Sequence, residues 1–227
     1  MPPRRPVKRL FTNLATTCFF LAVLLLSAGR FNYWQGWIYA AVGLFMSFAT
    51  QLILSDNPDL LKERSRPGAG AKVWDKNLLG LGLFLTLATL VVAGLNSGRY
   101  HWPPNLSWMW FIPGLILSLV GMSIFLLALK ENRFFSAVVR IQTDRNQTVC
   151  KTGVYKIVRH PGNAGMIIGT IGLPFLFLSA WSAIPVLFSI GILVIRTHLE
   201  DNLLKEELEG YADYQHSTHF RLIPGIW

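Results

Sequence analysis

Leu10–Gly29, Trp37–Leu54, Leu78–Leu95 and Trp108–Leu129 carry no charged side chain in their interiors. Each approaches the roughly 20 apolar residues that a helix needs to cross the hydrocarbon core of a bilayer. A spanning segment must satisfy its own backbone polar groups, so a chain built of such runs is restricted to helices. Only 15% of the 227 residues are charged, against roughly 25% in an ordinary soluble domain. A fifth apolar region, Ala164–Ile195, is too long for one span and is punctuated at Pro174 and at Ser179–Ser182. It reads as a helical hairpin with arms Ala164–Leu178 and Trp181–Ile195, each short for a full crossing. The expected fold is an all-α integral membrane protein with about five to six transmembrane helices, including this C-terminal hairpin.

The net charge of +9 could suggest nucleic acid, but its placement argues against that partner. Arg4, Arg5, Lys8 and Arg9 precede the first span, and Lys62, Arg64, Arg66, Lys72 and Lys76 fill the loop Ser55–Lys76. Lys130, Arg133, Arg140, Arg145, Lys151, Lys156 and Arg159 follow the fourth span, whereas the other two connections hold only Arg30 and Arg99. This is the positive-inside asymmetry, and it places both termini, the second loop and the region after the fourth span in the cytoplasm. The first apolar run exceeds the ~7–15 residues of a signal-peptide core, so it reads as a retained anchor. Cys18 falls inside a span and Cys150 in a cytoplasmic loop, so neither a disulfide nor a cysteine-based metal site is expected.

Residues 1–129 read as a four-span membrane scaffold and 130–227 as the region that carries the polar chemistry. A hairpin returns the chain to the side it left. It should therefore bring Arg159-His160-Pro161, at the mouth of the first arm, close to Arg196, Glu200 and Asp201, at the exit of the second. Pro161 suits a first helical turn, where the missing N–H costs nothing, and the helix N-terminus beyond it offers free amides to a polar ligand. Gly162, Gly165, Gly169 and Gly172 share one face of the first arm, which lets a helix or a flat ligand approach its backbone. An amphipathic helix carrying Leu203, Leu204 and Leu208 follows the second arm, and Gly210 could end it. Arg196 and Glu200, one turn apart, could be a boundary ion pair, or could hold unlike charges of a ligand side by side. His198, His216 and His219 match no metal-ligand spacing. The run Leu79-Gly80-Leu81-Gly82 lacks the preceding strand of a dinucleotide fingerprint.

The ordered set Gly153-x-Tyr155-x3-Arg159-His160-Pro161, hairpin, Arg196-x3-Glu200-Asp201, Tyr211-x2-Tyr214 and Leu222-Ile223-Pro224 resembles the isoprenylcysteine carboxyl methyltransferase family, with phospholipid N-methyltransferases as more distant relatives. The resemblance implies an S-adenosyl-L-methionine-dependent methyltransferase acting on a lipophilic or prenylated acceptor, most simply a carboxylate. It implies cofactor contacts from Gly153, Val154, Tyr155, Arg159, His160, Pro161, Glu200 and Asp201. It assigns Arg196 and Glu200 to the methyl acceptor. Three positions depart from the family's usual pattern: Val154 stands where Pro is usual, Asn163 where Tyr is usual, and Asp201 where Glu is usual. Sterol-reductase-type membrane enzymes, which use NADPH, also look similar around Arg159-His160-Pro161, and a non-catalytic membrane scaffold is the third reading.

Overall fold

A computed structural model describes residues 5–227, with side chains described from Phe11 onward, so Arg4 and the side chains of Arg5, Lys8 and Arg9 lie outside the described set. The helices are α1 (Arg5–Ala28), α2 (Trp34–Ser55), α3 (Pro58–Ser65), α4 (Val73–Ala93), α5 (Phe111–Glu131), α6 (Pro161–Leu176), α7 (Ala183–Glu207) and α8 (Tyr211–Ser217). No strand occurs among the described residues. Among the described residues, five stretches are long and apolar enough to cross a membrane: Phe11–Ala28, Trp34–Ser55, Val73–Tyr100, Trp108–Glu131 and Ala183–Glu207.

The short helix α6 is the exception. Its 16 residues rise about 24 Å at 1.5 Å per residue, less than the ~30 Å core. It packs most intimately on α5, and the glycine face explains how. A Cβ built on Gly165 would lie 2.6 Å from the Gly121 carbonyl oxygen, and one on Gly172 would lie 2.7 Å from that of Gly114. Gly162 instead accommodates the Phe135 ring, 2.5 Å from where its Cβ would be. At Gly165 and Gly172 the close neighbour is therefore the backbone of α5.

The tip between α6 and α7 is held by polar groups inside the apolar half. The chain after α4 widens into a π-helical segment, Gly94–Tyr100. Asn96 and Ser97 of that segment face the tip. The Phe177 carbonyl accepts from Ser97 Oγ (2.6 Å) and Tyr33 Oη (3.1 Å), and Ser179 Oγ donates to Asn96 Oδ1 (2.8 Å). A tip fixed this way satisfies the backbone polar groups freed where α6 stops short.

The second arm differs from the sequence reading. The arm ending at Ile195 and the separate amphipathic helix are one continuous helix, α7, of 25 residues. No proline interrupts 186–207, and its last two turns are built of strong helix formers such as Leu204, Lys205 and Glu206. The polar residues from Arg196 to Asp201 therefore project from an unbroken rod. Gly210, at φ 76°, does turn the chain after α7. The helix α6 also continues two residues past Pro174 before ending at Leu176.

Candidate active site

The ends of α6 and α7 meet as the hairpin requires. His160 caps α6, and the backbone N–H groups of Arg159 and His160 donate to the carbonyls of Phe220 and Arg221 (both 2.9 Å), which clamps the C-terminal tail over the turn. Beneath it Asp201 is fully buried. Arg159 grips it with two bonds, Nε to Oδ1 (2.8 Å) and Nη2 to Oδ2 (2.9 Å). Tyr211 Oη donates to Oδ1 (2.8 Å), His160 Nε2 lies 3.0 Å from Oδ1, and Gln215 Nε2 and Arg221 Nε donate to Oδ2 (3.2 and 2.8 Å). Six atoms of five side chains crowd two carboxylate oxygens, which offer roughly four lone-pair directions.

Arg159 is equally committed. Its Nη1 donates to the carbonyls of Thr218 and His219 (2.9 and 2.7 Å). Burial would lower its pKa, but hydrogen bonding to Asp201 and the Asp201 charge outweigh that and raise it. Burial, followed by the Asp201 charge, drives the Tyr211 hydroxyl far above its ordinary range and keeps it a neutral donor. With Nε2 turned to Asp201, His160 directs Nδ1 toward Glu200 Oε2 at 3.8 Å.

Glu200 is the uncommitted acid. It is part-exposed, accepts from Asn163 Nδ2 at 3.2 Å, and stands 4.0 Å from Arg196 Nη1. Asn163 lies between them: its Nδ2 also donates to Thr197 Oγ1 (3.0 Å) and its Oδ1 accepts from Arg196 Nη1 (3.3 Å). An asparagine here separates the two charged groups and leaves each with an open side.

These groups border a chamber of about 230 Å³. Tyr155, Arg159, His160, Gly162, Asn163, Arg196, Glu200, Tyr211 and Tyr214 line it, and the segment around Phe134–Arg140 forms its roof. Gly153, Val154 and Pro161 are not among the lining residues; Gly153, at φ 54°, faces the Glu131 side chain, and Val154 packs against the cluster of Tyr155, Tyr211 and Tyr214. A second cavity, about 590 Å³ and predominantly apolar, lies among the membrane helices, lined from α1, α2, α4, α5, α6 and α7. The two share Leu79, Phe125, Met166 and Arg196, so Arg196 stands where the chamber with the charged side chains meets the apolar space.

Two acids that the sequence reading left within the scaffold take part. Asp75, at the start of α4, accepts from Arg196 Nε at 2.7 Å. Glu63 of α3 accepts from Arg140 Nε and Nη2 (2.9 and 2.7 Å) and from Ser136 Oγ (2.9 Å), fixing the chamber roof. Hydrogen bonding from Arg140, working against burial, lowers the Glu63 pKa below its usual value, and Arg140 is raised in return. Neither acid carries a distinguishing signal in the sequence: an acid in the first turn of a helix, as at Asp75, is a common and favourable placement. Among the described residues, no three His, Cys, Asp or Glu side chains converge as a metal site would require.

Glu200 and the α6 N-terminus, opening between aromatic walls, fit a cofactor that carries both cationic and anionic groups. Residues 108–206 match the sequence model of the isoprenylcysteine carboxyl methyltransferase family. Two curated relatives, each called a probable protein-S-isoprenylcysteine O-methyltransferase, come from Oryza sativa subsp. indica and subsp. japonica. Each is 31% identical over 84 residues, covering 36% of this chain and 44% of the relative. The chain thus spans less than half the length of the relatives it matches.

Proposed function

With the family resemblance supported over residues 108–206, we propose that the protein is an integral membrane S-adenosyl-L-methionine-dependent methyltransferase whose acceptor is a lipophilic carboxylate of the isoprenylcysteine type. The observation that carries this reading is the junction at Arg196, where the chamber that holds Arg159, His160 and Glu200 and an apolar cavity within the membrane half share one guanidinium. A lipophilic acceptor needs both: apolar space for its tail and a cation for its head. The chamber faces the cytoplasm in this reading, because Arg64 of the basic Ser55–Lys76 loop and Arg140 and Arg159 of the basic stretch after the fourth span line it.

S-adenosyl-L-methionine would supply the methyl group as an electrophile bound in the chamber. Glu200, with the amides of the α6 N-terminus, would hold its charged groups, and Tyr155 and His160 would line its pocket. Asp201 and Arg159 contribute from below, by fixing His160 and the tail rather than by direct contact. A carboxylate is ionised at neutral pH and needs no general base. The work left to the protein is orientation and exclusion of water: Arg196 aligns the acceptor, and the roof closes the chamber.

Purified protein should bind S-adenosylhomocysteine with micromolar-range affinity, about −8 kcal/mol, and transfer radiolabelled methyl to an S-isoprenylcysteine. Arg196→Ala should keep that binding within about threefold, under ~0.7 kcal/mol, while losing most transfer. A response to nicotinamide cofactors with none to S-adenosylhomocysteine would overturn the reading.

A further inference from the structure

Asp75 lies outside the matched segment, in the first turn of α4, and no part of it is exposed to solvent. Its two oxygens serve different walls of the site. Oδ1 accepts from Arg196 Nε on α7 (2.7 Å), and Oδ2 accepts from the Val139 backbone N–H in the chamber roof (2.7 Å). One carboxylate therefore ties the junction guanidinium to the roof above it.

The choice of nitrogen matters. A guanidinium can grip a carboxylate side-on through Nε and one Nη, or end-on through both Nη groups. With Nε taken by Asp75, the side-on fork that includes it is committed inside the protein. Nη1 reaches only Asn163 Oδ1 at 3.3 Å and stands 4.0 Å from Glu200, and Nη2 has no protein hydrogen bond among the described residues. Arg196 borders both cavities, so its open edge is the Nη1–Nη2 end. A guanidinium left unpaired here would be free to collapse onto Glu200, one turn away. Pairing at Nε compensates its charge from behind and prevents that.

We propose that Asp75 is a positioning residue for the acceptor. It holds the Arg196 guanidinium so that the Nη edge meets the acceptor's carboxylate end-on at the junction of the two cavities. This rests on the methyltransferase reading. It adds a determinant for an anionic head group, supplied by the first half of the chain.

The test compares binding of an N-acetyl-S-isoprenylcysteine with that of its methyl ester, which lacks the charge, alongside S-adenosylhomocysteine. The parental protein should prefer the acid at least tenfold. Asp75→Asn keeps the shape but turns one acceptor into a donor. It should cut that preference below threefold while leaving S-adenosylhomocysteine affinity within threefold. Because Asp75 acts through Arg196, adding Asp75→Asn to Arg196→Gln should change nothing further. Asp75→Asn that retains the parental preference, or that adds to Arg196→Gln, overturns the proposal. A parental protein with no preference for the acid removes the carboxylate-acceptor reading itself, and this inference with it. Should Asp75→Asn fail to fold, Asp75→Glu keeps the charge while displacing the guanidinium; a several-fold loss of preference is expected, and an unchanged preference refutes the assignment.

Discussion

Asp201→Ala should act on stability before it acts on any ligand. The carboxylate is met by five side chains and is fully buried. Its removal strands the buried Arg159 guanidinium, which keeps only the Thr218 and His219 carbonyls, and frees the Arg221 side chain of the tail. Breaking a buried ion pair from one side costs about 3–5 kcal/mol, because the remaining charge is left uncompensated. The Tyr211 and Gln215 bonds would add about 1 kcal/mol each if they were independent. Groups sharing one acceptor are not independent, so about 3–5 kcal/mol stands as the expectation. For a chain of this length roughly 2–4 °C accompanies each kcal/mol, giving a fall of roughly 6–20 °C in Tm. Tryptophan fluorescence during thermal unfolding in detergent, without ligand, measures it. An Asp201→Ala protein that melts within about 2 °C of the parent yet loses S-adenosylhomocysteine binding would show that Asp201 holds the cofactor directly, and would refute the argument from saturation.

The neighbouring acid should behave oppositely. Glu200→Gln removes a part-exposed carboxylate with one long hydrogen bond; it should weaken S-adenosylhomocysteine binding more than tenfold, by titration, while shifting Tm by under about 3 °C. The roof supplies a pH signature. The folded-state pKa of Glu63 is lowered from 4.5, chiefly by Arg140, so its contribution is fully present above that value and is lost as pH falls below it. Thermal unfolding from pH 7 down to pH 3 should show this loss, and Glu63→Gln should be less stable at pH 7 with a flatter acid limb.

Much of this arrangement was legible because it is local. The four spans follow from unbroken apolar runs, and the glycine face of α6 from their spacing along one helix. The meeting of Arg159-His160 with Asp201 follows from the geometry of any hairpin. What escaped reading is long-range. Asp75 and Arg196 are 121 positions apart, and no pattern within α4 announces which residue its acid will face. The adjacent acids Glu200 and Asp201 look interchangeable in sequence, yet 100° of helical rotation sends one to the chamber and the other into a nest of donors. The continuity of α7 was missed because the change from apolar to polar residues at Arg196 resembles a boundary. In the structure it marks only where the helix leaves the apolar surroundings.

Glycines of the membrane half differ in what surrounds them, and the difference fixes where this protein can be remodelled. A methyl group at Gly114, Gly121, Gly165 or Gly172 would collide with backbone that has nowhere to go, so the α5–α6 seam allows no enlargement at these four positions. Gly43 and Gly82 also lie in membrane helices, but a Cβ there meets nothing within 4 Å, and both border the large apolar cavity. Alanine at either position would take space from that cavity alone, and would raise helix propensity by about 1 kcal/mol. The room available to an acceptor's tail can thus be shortened from the α2 and α4 side, one methyl at a time, while the chamber with the charged side chains and the α5–α6 seam stay as they are.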